Sequence, residues 1–424
     1  ETDPNRVQEL QRLAGDEDAL ATFLREPVSR ADLETLAWLR SQKVRAARER
    51  LAAARTGYQQ SADLKDLVAL YRAFLRETKT RVGPEKSRRA TESIAPYPNI
   101  DALSGELVAK SVAIAFQRLR RTVRDVVADA ERAHANAARL VEARRIVEAD
   151  VELHESLVKV MRARLESGKS TQAALLAFQS RLESLRTESA ILGQQETAVR
   201  AQWNRLLNRA EQAPVNLDIP PVKPKPDASD AGQLVRHALV EEQALRIASL
   251  SAERAALAVR LAETMTLPRM DLGSSRFERE RAGEAGVQRG RTFPEPGRMV
   301  RPRWDFGVRE AQVTEMRARS RAAERSRDAV RDKTQADVRA AWFSLDAAQR
   351  RWAVHRKELV PLAERSFDST RGAYEGNRTG YIELLDSARR LLRARLGLVD
   401  ARRDFAHARA QLIQAVGVRI ATKR

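Results

Sequence analysis

One stretch of this chain occurs twice. Ala163 to Leu182 reads "ARLESGKSTQAALLAFQSRL" and Gly372 to Leu391 reads "GAYEGNRTGYIELLDSARRL". The two align without gaps at an offset of 377 − 168 = 209. Leu165 falls on Tyr374, Lys169 on Arg378, Ser170 on Thr379, and Leu182 on Leu391. Leu175 and Leu176 fall on Leu384 and Leu385. Gly168 falls on Asn377, and at the same offset Leu207 falls on Val416 and Asn208 on Gly417. Gly and Asn are the residues that best tolerate a left-handed backbone, so their exchange at both places predicts a shared conformation. Each half reads as helix, tight reversal, helix, stop.

The flanking patterns predict long helices. From Leu119 the apolar or small positions run Val123, Val126, Ala130, Ala133, Ala137, Leu140, Val147, Val151, Val158, Met161 and Leu165. The alternation of four and three is a heptad-like seam. A helix from about Leu103 to Leu165 is roughly 90 Å long at 1.5 Å per residue. Its counterpart runs from about Val308 to Tyr374 through Val338, Trp342, Leu345, Trp352, Leu359 and Phe367, and Pro361 is expected to kink it. The return helices are expected over Leu175 to Leu207 and Leu384 to Val416, with shorter Ala-rich ones over Leu33 to Thr56 and Leu234 to Thr264.

Between the halves lies "APVNLDIPPVKPKPDASDAG", Ala213 to Gly232. Pro214, Pro220, Pro221, Pro224 and Pro226 exclude helix and predict an extended, solvated linker. The expected organisation is a first repeat over 1–212, a linker over 213–232 and a second repeat over 233–424. In the second repeat "TLPRMDLGSSRFERE" and "GRMVRPRWDFGV" form a candidate strand pair within 267–308. In the first repeat "QQSADLKDLVALYRAFLRETKTRVG" reads as helix, followed by the loop "APYPNIDALSG".

Composition agrees with an elongated, mainly α chain. Charged residues make up 32%, aromatics 5%, and Cys is 0, which disfavours a disulfide scaffold. The net charge of 77 − 58 = +19 leaves two readings open: binding to nucleic acid or an anionic surface, or arginines that solvate helix faces. The arginines are spread along the chain and do not alternate with stacking aromatics, which favours the second reading and argues against nucleic acid. No run of about 18 apolar residues is present. The start, "ETDPNRVQEL", is not a basic-then-apolar leader, as expected for a cytosolic chain or a processed one.

Catalytic patterns are missing. His134, His154, His237, His355 and His407 are scattered, with no His-x-x-x-His pair. "GEAGVQRG" (Gly283 to Gly290) precedes no helix opening with Lys-Ser/Thr, so it is no phosphate loop. No metal, no cofactor and no enzymatic activity are expected.

"YEGNRTGYIELLDSARRLLRARLGLVDARRDFAHARAQLIQAVG", Tyr374 to Gly417, resembles the end of TolC-type outer-membrane efflux proteins. "ARLESGKSTQAALLAFQSRL" is similar to the family's first-half version, "RAALAVRLAETMTLPRMDLG" to its approach to the second strand pair, and "WDFGVREAQV" to its strand exit. The resemblance covers about Leu33 to Gly417 and includes the duplication and the Pro-rich middle. It implies two repeated helical hairpins that build an elongated coiled-coil α-barrel as a homotrimer, with a β-barrel in the outer membrane. It implies a passive exit duct whose tip docks a periplasmic adaptor and, through it, an inner-membrane pump, in the envelope of a Gram-negative-type bacterium. The chain departs from the family in its strands. Arg276, Arg301 and Arg303 would each cost roughly 2–4 kcal/mol on a lipid face at mid-membrane, or else face a lumen, and the first repeat shows no convincing strand pair, so a reduced or missing barrel is expected. There is also no N-terminal Cys for a lipid anchor.

On that resemblance, Gly168, Lys169 and Ser170, with Asn377, Arg378, Thr379 and Gly380, are the partner-binding tips. Glu383 and Asp386 follow the second turn; they either line the narrow tunnel end or are solvated and paired with nearby arginines. The alternative to a conduit is a coiled-coil tether or scaffold without a lumen.

Overall fold

The computed structural model describes residues 4–62, 74–76, 85–94, 99–219, 230–265, 270–279, 292–299 and 307–418. Among these, the helices are α1 (Pro4–Gly15), α2 (Glu17–Phe23), α3 (Arg30–Arg40), α4 (Gln42–Ala62), α5 (Asn99–Glu166), α6 (Gln172–Leu206), α7 (Ala231–Glu241), α8 (Gln243–Met265), α9 (Val308–Val354), α10 (Val360–Glu375) and α11 (Tyr381–Val416). A π-helical turn, His355–Leu359, joins α9 to α10. The strands are β1 (Phe74–Arg76), β2 (Glu85–Ile94), β3 (Met270–Arg279) and β4 (Thr292–Met299). The chain divides into two compact units: Glu1–Ala47, Leu119–Gln243 and Arg331–Arg424 form one, and Arg48–Arg118 with Ala244–Val330 the other.

The duplication extends further than the aligned stretch. Both ends of α5, shifted by 308 − 99 = 209 and 375 − 166 = 209, fall on the ends of the α9–α10 run. Nearer the start of each half the offset is smaller. Ser29 and Asp230 are N-caps whose side chains accept from Asp32 N–H and Gln233 N–H, at an offset of 230 − 29 = 201. Ser41 and Glu242, both extended at ψ 122° and 126°, break the expected single helices into α3–α4 and α7–α8 at the same offset, 242 − 41 = 201. The second copy therefore carries 209 − 201 = 8 extra residues, all between α8 and α9 or at the end of α8.

In the first unit the long helices bury the predicted seam. Val126, Ala130, Ala133, Ala137, Leu140, Val147 and Met161 are all buried. The second copy shows a slip in this seam. Val338, Leu345 and Trp352 are buried at intervals of seven, as are Phe367 and Tyr374, but 367 − 352 = 15, one more than two heptads. The π turn absorbs the extra residue: Val360 N–H donates to the carbonyl of His355, five residues back. Pro361, which has no N–H to give, opens α10 directly after it, so the interruption expected at Pro361 takes the form of a π turn on its N-terminal side.

The start of the expected linker is not solvated. Val215, Leu217 and Ile219 are buried in one core with Leu10, Leu20, Leu24, Trp203 and Leu207. Residues 213–219 lie in neither helix nor strand, and their alternate apolar side chains close the core over α1 and α2; residues 220–229 lie outside the described set. The helix stops are tied differently in the two copies. Arg40 donates to the carbonyls of Leu207 (2.6 Å) and Asn208 (3.3 Å), whereas Gln243 donates to that of Gly417 (2.7 Å). Asn208 (φ 50°) and Gly417 (φ 87°) both adopt the left-handed conformation the alignment predicts.

The second unit contains a four-stranded antiparallel sheet in the order β1-β2-β3-β4. β2 pairs with β3 from Glu85↔Arg279 to Ile94↔Met270, so this ladder joins the two copies. β3 pairs with β4 with a bulge between Asp271 and Gly273. The first copy thus has the strand pair its sequence did not suggest: Phe74–Arg76, read as helix, is a strand, and the loop expected at 95–105 is helical from Asn99. The pairing partner of Phe74–Arg76 is Arg89–Thr91, so hydrogen bonding distant in sequence overrides a helix-favouring composition. In the second copy β3 lies where expected, β4 precedes the expected segment by several residues, Arg276 lies in β3, and Arg301, Arg303 and Gly283 to Gly290 fall outside the described residues.

Two left-handed glycines differ in surroundings, which yields a graded prediction. A Cβ added to Gly168 (φ 69°) would meet nothing within 4 Å, whereas a Cβ on Gly417 would lie 2.7 Å from Glu242 Cα. Gly168→Ala is expected to lose about 1 kcal/mol from backbone strain alone. Gly417→Ala adds a backbone clash and is expected to lose about 3 kcal/mol in urea unfolding. Equal losses would contradict the packing described for Gly417.

Candidate functional site: the paired hairpin tips

The two reversals have the same backbone. In the first, Ser167 N–H donates to Ala163 C=O (3.1 Å), Gly168 N–H to Leu165 C=O (3.0 Å) and Lys169 N–H to Arg164 C=O (2.7 Å). In the second, Gly376 N–H donates to Gly372 C=O (3.1 Å), Asn377 N–H to Tyr374 C=O (3.1 Å) and Arg378 N–H to Ala373 C=O (2.8 Å). Each bond is displaced by 209 from its counterpart. This is the helix stop in which a residue at positive φ lets the following N–H groups satisfy the last carbonyls. Gly168 (φ 69°) and Asn377 (φ 56°) occupy that position.

The copies differ where the next helix starts. Thr171 caps α6, its hydroxyl accepting from Ala174 N–H at 3.2 Å. Gly380 takes the same place before α11 and has no side chain to cap with. Glu383 compensates in position: its Oε2 lies 2.7 Å from where a Cβ on Gly380 would be, over the α11 N-terminus, where the helix dipole favours an anion. Asp386 is half-exposed and pairs with Arg389 at 3.7 Å.

Each predicted tip residue stands at a helix reversal. Gly168, Lys169, Asn377, Arg378 and Gly380 are exposed, and Ser170 and Thr379 are half-buried. Lys169 and Arg378 occupy matching positions, so each tip presents a cation. The Arg378 side chain folds back over Gly376, its Nε 3.3 Å from the position a Cβ would take there.

The two tips are tied to each other by residues that sequence reasoning did not select. Arg164 donates to the carbonyls of Tyr374 (3.1 Å) and Glu375 (3.3 Å) and to Asn377 Oδ1 (2.8 Å). Its guanidinium lies 4.5 Å from the centre of the Tyr374 ring. The Tyr374 hydroxyl donates to Met161 Sδ at 3.1 Å. Beneath this contact Leu157, Met161, Phe178, Phe367, Tyr374, Leu384, Leu385, Ala388 and Leu391 form one core. Arg164 therefore caps the C-terminus of α10 from the other hairpin, where free carbonyls and the helix dipole both favour a cation. A sequence signal existed: Arg164 aligns with Ala373, so only one copy carries the cation, and Tyr374 aligns with Leu165, so only the other carries the ring.

Among the described residues no group of three His, Asp or Glu side chains is arranged to hold a metal, and no helix is long and apolar enough to cross a membrane. No family profile matches the sequence, and no curated protein matches it. Solved structures do match. The outer membrane protein VceC from Vibrio cholerae superposes with a TM-score of 0.71 at 17% identity, covering 92% of this chain and 96% of that one. CusC, solved in a study of its folding and transmembrane channel formation, gives 0.73 at 16% identity over 92% of both chains. The MtrE outer membrane channel of Neisseria gonorrhoeae, in its open state, gives 0.70 at 16% identity over 92% of this chain and 89% of that one. The chain has the fold of bacterial outer-membrane channel proteins, the fold that the sequence resemblance implied.

The cross-tip tie has a measurable weight. Arg164→Ala is expected to destabilise by about 1–2 kcal/mol and to accelerate amide exchange at 373–378. Arg164→Lys is expected to recover less than half of that loss, because one ammonium cannot reach three acceptors in a fork. Full recovery by lysine would show that charge alone, and not the forked geometry, holds the tips.

Proposed function

We propose that the chain is the passive exit duct of a three-component efflux or secretion system in a Gram-negative-type envelope. The observation that carries this reading is the pairing of a duplicated helical hairpin with a four-stranded sheet, shared over 92% of the chain with solved outer-membrane channels. In this reading three copies assemble. The sheet built from β1 to β4 supplies each copy's share of a closed barrel, which is the way an antiparallel sheet removes its unpaired edges in a membrane. The helical hairpins form the periplasmic tunnel. Passage needs no bond chemistry, and the energy comes from the partner pump.

The basic tips at Lys169 and Arg378, with Gly168, Ser170, Asn377, Thr379 and Gly380, form the docking face for the periplasmic adaptor. Three matched backbone hydrogen bonds hold each turn, and such preorganisation lowers the entropy cost of binding there. Glu383 and Asp386 stand just past the second tip and bias the tunnel end toward cations.

Two experiments test the reading. In mild detergent the protein is expected to run as a trimer and to form conducting pores in planar bilayers; a monomer of unchanged mass with and without detergent overturns the duct. With the trimer intact, Lys169→Glu combined with Arg378→Glu is expected to weaken adaptor capture at least tenfold, about 1.4 kcal/mol. Unchanged capture overturns the tip assignment. Glu383→Gln with Asp386→Asn is expected to lower the cation-to-anion permeability ratio, and an unchanged ratio removes these carboxylates from the pore.

A further inference from the structure

Two titratable side chains lie buried on α5, in the half of the hairpin nearer the tips. His154 is fully buried, and Asp150 is 8% exposed. His154 Nδ1 is 2.9 Å from the carbonyl of Asp150 and 3.6 Å from Asp150 Oδ2. A carbonyl only accepts, so Nδ1 carries the hydrogen and Nε2 is left as a bare acceptor. Nε2 has no hydrogen-bond partner, and neither do Asp150 Oδ2 or the buried Nε of Arg181. On the ring's other side is Phe178, at 6.4 Å between centroids. Native interiors rarely leave three such atoms unsatisfied in one layer.

We propose that Asp150 and His154 form an acid-sensitive layer of the helical hairpins, closed while the imidazole is neutral and loosened when Nε2 takes a proton from solvent. The charged groups around the pair decide the sign. Arg181 on α6 and Arg389 on α11 oppose a charged ring, as does its burial, while Asp150 alone among the groups acting on it favours one. Burial is the largest effect and holds His154 below the usual histidine range. Burial likewise pushes Asp150 above the usual carboxylate range, with Glu188 in the same direction and His154, Arg181 and Arg395 against it. Arg395, which acts on Asp150, is itself paired with Glu364 (2.9 Å), and Arg389, which acts on His154, with Asp386 (3.7 Å), which limits what each offers the pair.

The linkage follows from these directions. An opened layer restores His154 to its ordinary pKa, so the open state binds more protons and stability falls as pH drops through about 6.5. Asp150 acts oppositely, because the closed state holds its proton to higher pH than the open one, and it partly offsets the loss. Leu157 and Met161 follow on the same helix and pack in the core beneath the tips, so loosening here reaches the Met161–Tyr374 contact.

Amide exchange at 147–160 and 178–188, corrected for intrinsic rates, is the direct test on the intact protein. Between pH 7.5 and 5.5 it is expected to accelerate by up to about tenfold, the ratio for an open-state imidazole of ordinary pKa. His154→Gln is expected to abolish the acceleration, and Asp150→Asn to steepen it by removing the offset. His134, buried in the same unit, is the control: His134→Gln is expected to leave the local acceleration intact. Acceleration that persists in His154→Gln, or that His134→Gln removes, overturns the proposal. Should His154→Gln not fold, nitrogen chemical shifts of the unmodified protein decide: a protonated Nδ1 with bare Nε2 at pH 7.5 supports the layer, and a charged ring or the opposite tautomer overturns it.

Discussion

A helix of 68 residues cannot bury its seam against itself, so the fold depends on sending the chain back along it. The left-handed residue at each reversal does this. At Gly168 and at Asn377 a single positive φ turns the last carbonyls of one helix toward the N–H groups that follow and aims the next helix down the first. The seam residues of α5, from Val126 to Met161, then find partners along their length on the return helices. Without the reversal these long apolar edges would face water.

Duplication supplies two such hairpins, and the departures from symmetry between them are where the molecule acquires its particular character. The extra residue in the second seam is taken up by a π turn just ahead of Pro361, which keeps Phe367 and Tyr374 facing the core. The cation at Arg164 and the ring at Tyr374 belong to different copies, so their contact joins two hairpins that repetition alone would leave merely similar. The eight additional residues of the second copy fall in the region that carries the sheet, and the ladder between β2 and β3 welds the copies there. A buried imidazole and carboxylate, His154 and Asp150, add a polar layer that the apolar seam does not require.

Much of the helical framework was legible from residue type and spacing. The αL positions were readable because Gly and Asn exchange at matched sites, and the long helices because their apolar periodicity is local. The hairpin tips were legible as turns, with Lys169 and Arg378 at matched positions. The first-copy strands were not: Phe74–Arg76 sits in a helix-favouring stretch, and its strand state comes from pairing with Arg89–Thr91. Burial of Val215, Leu217 and Ile219 was hidden by the prolines around them, which signal an extended chain but not what it packs on. The breaks at Ser41 and Glu242 carry no Pro or Gly, so nothing local announced them.

By itself the sequence determined the duplicated hairpins, their reversal points and their heptad seams, because helix periodicity and tolerance of positive φ belong to single residues and their near neighbours. Only the tertiary structure decided that Arg164 caps the opposite hairpin, that β2 pairs with β3 across the copies, and that His154 Nε2 is left without a partner beside Asp150. Each of these is a contact between groups brought together by folding or left dry by it, and the free energy of such a contact depends on the solvent excluded around it, which no local pattern records.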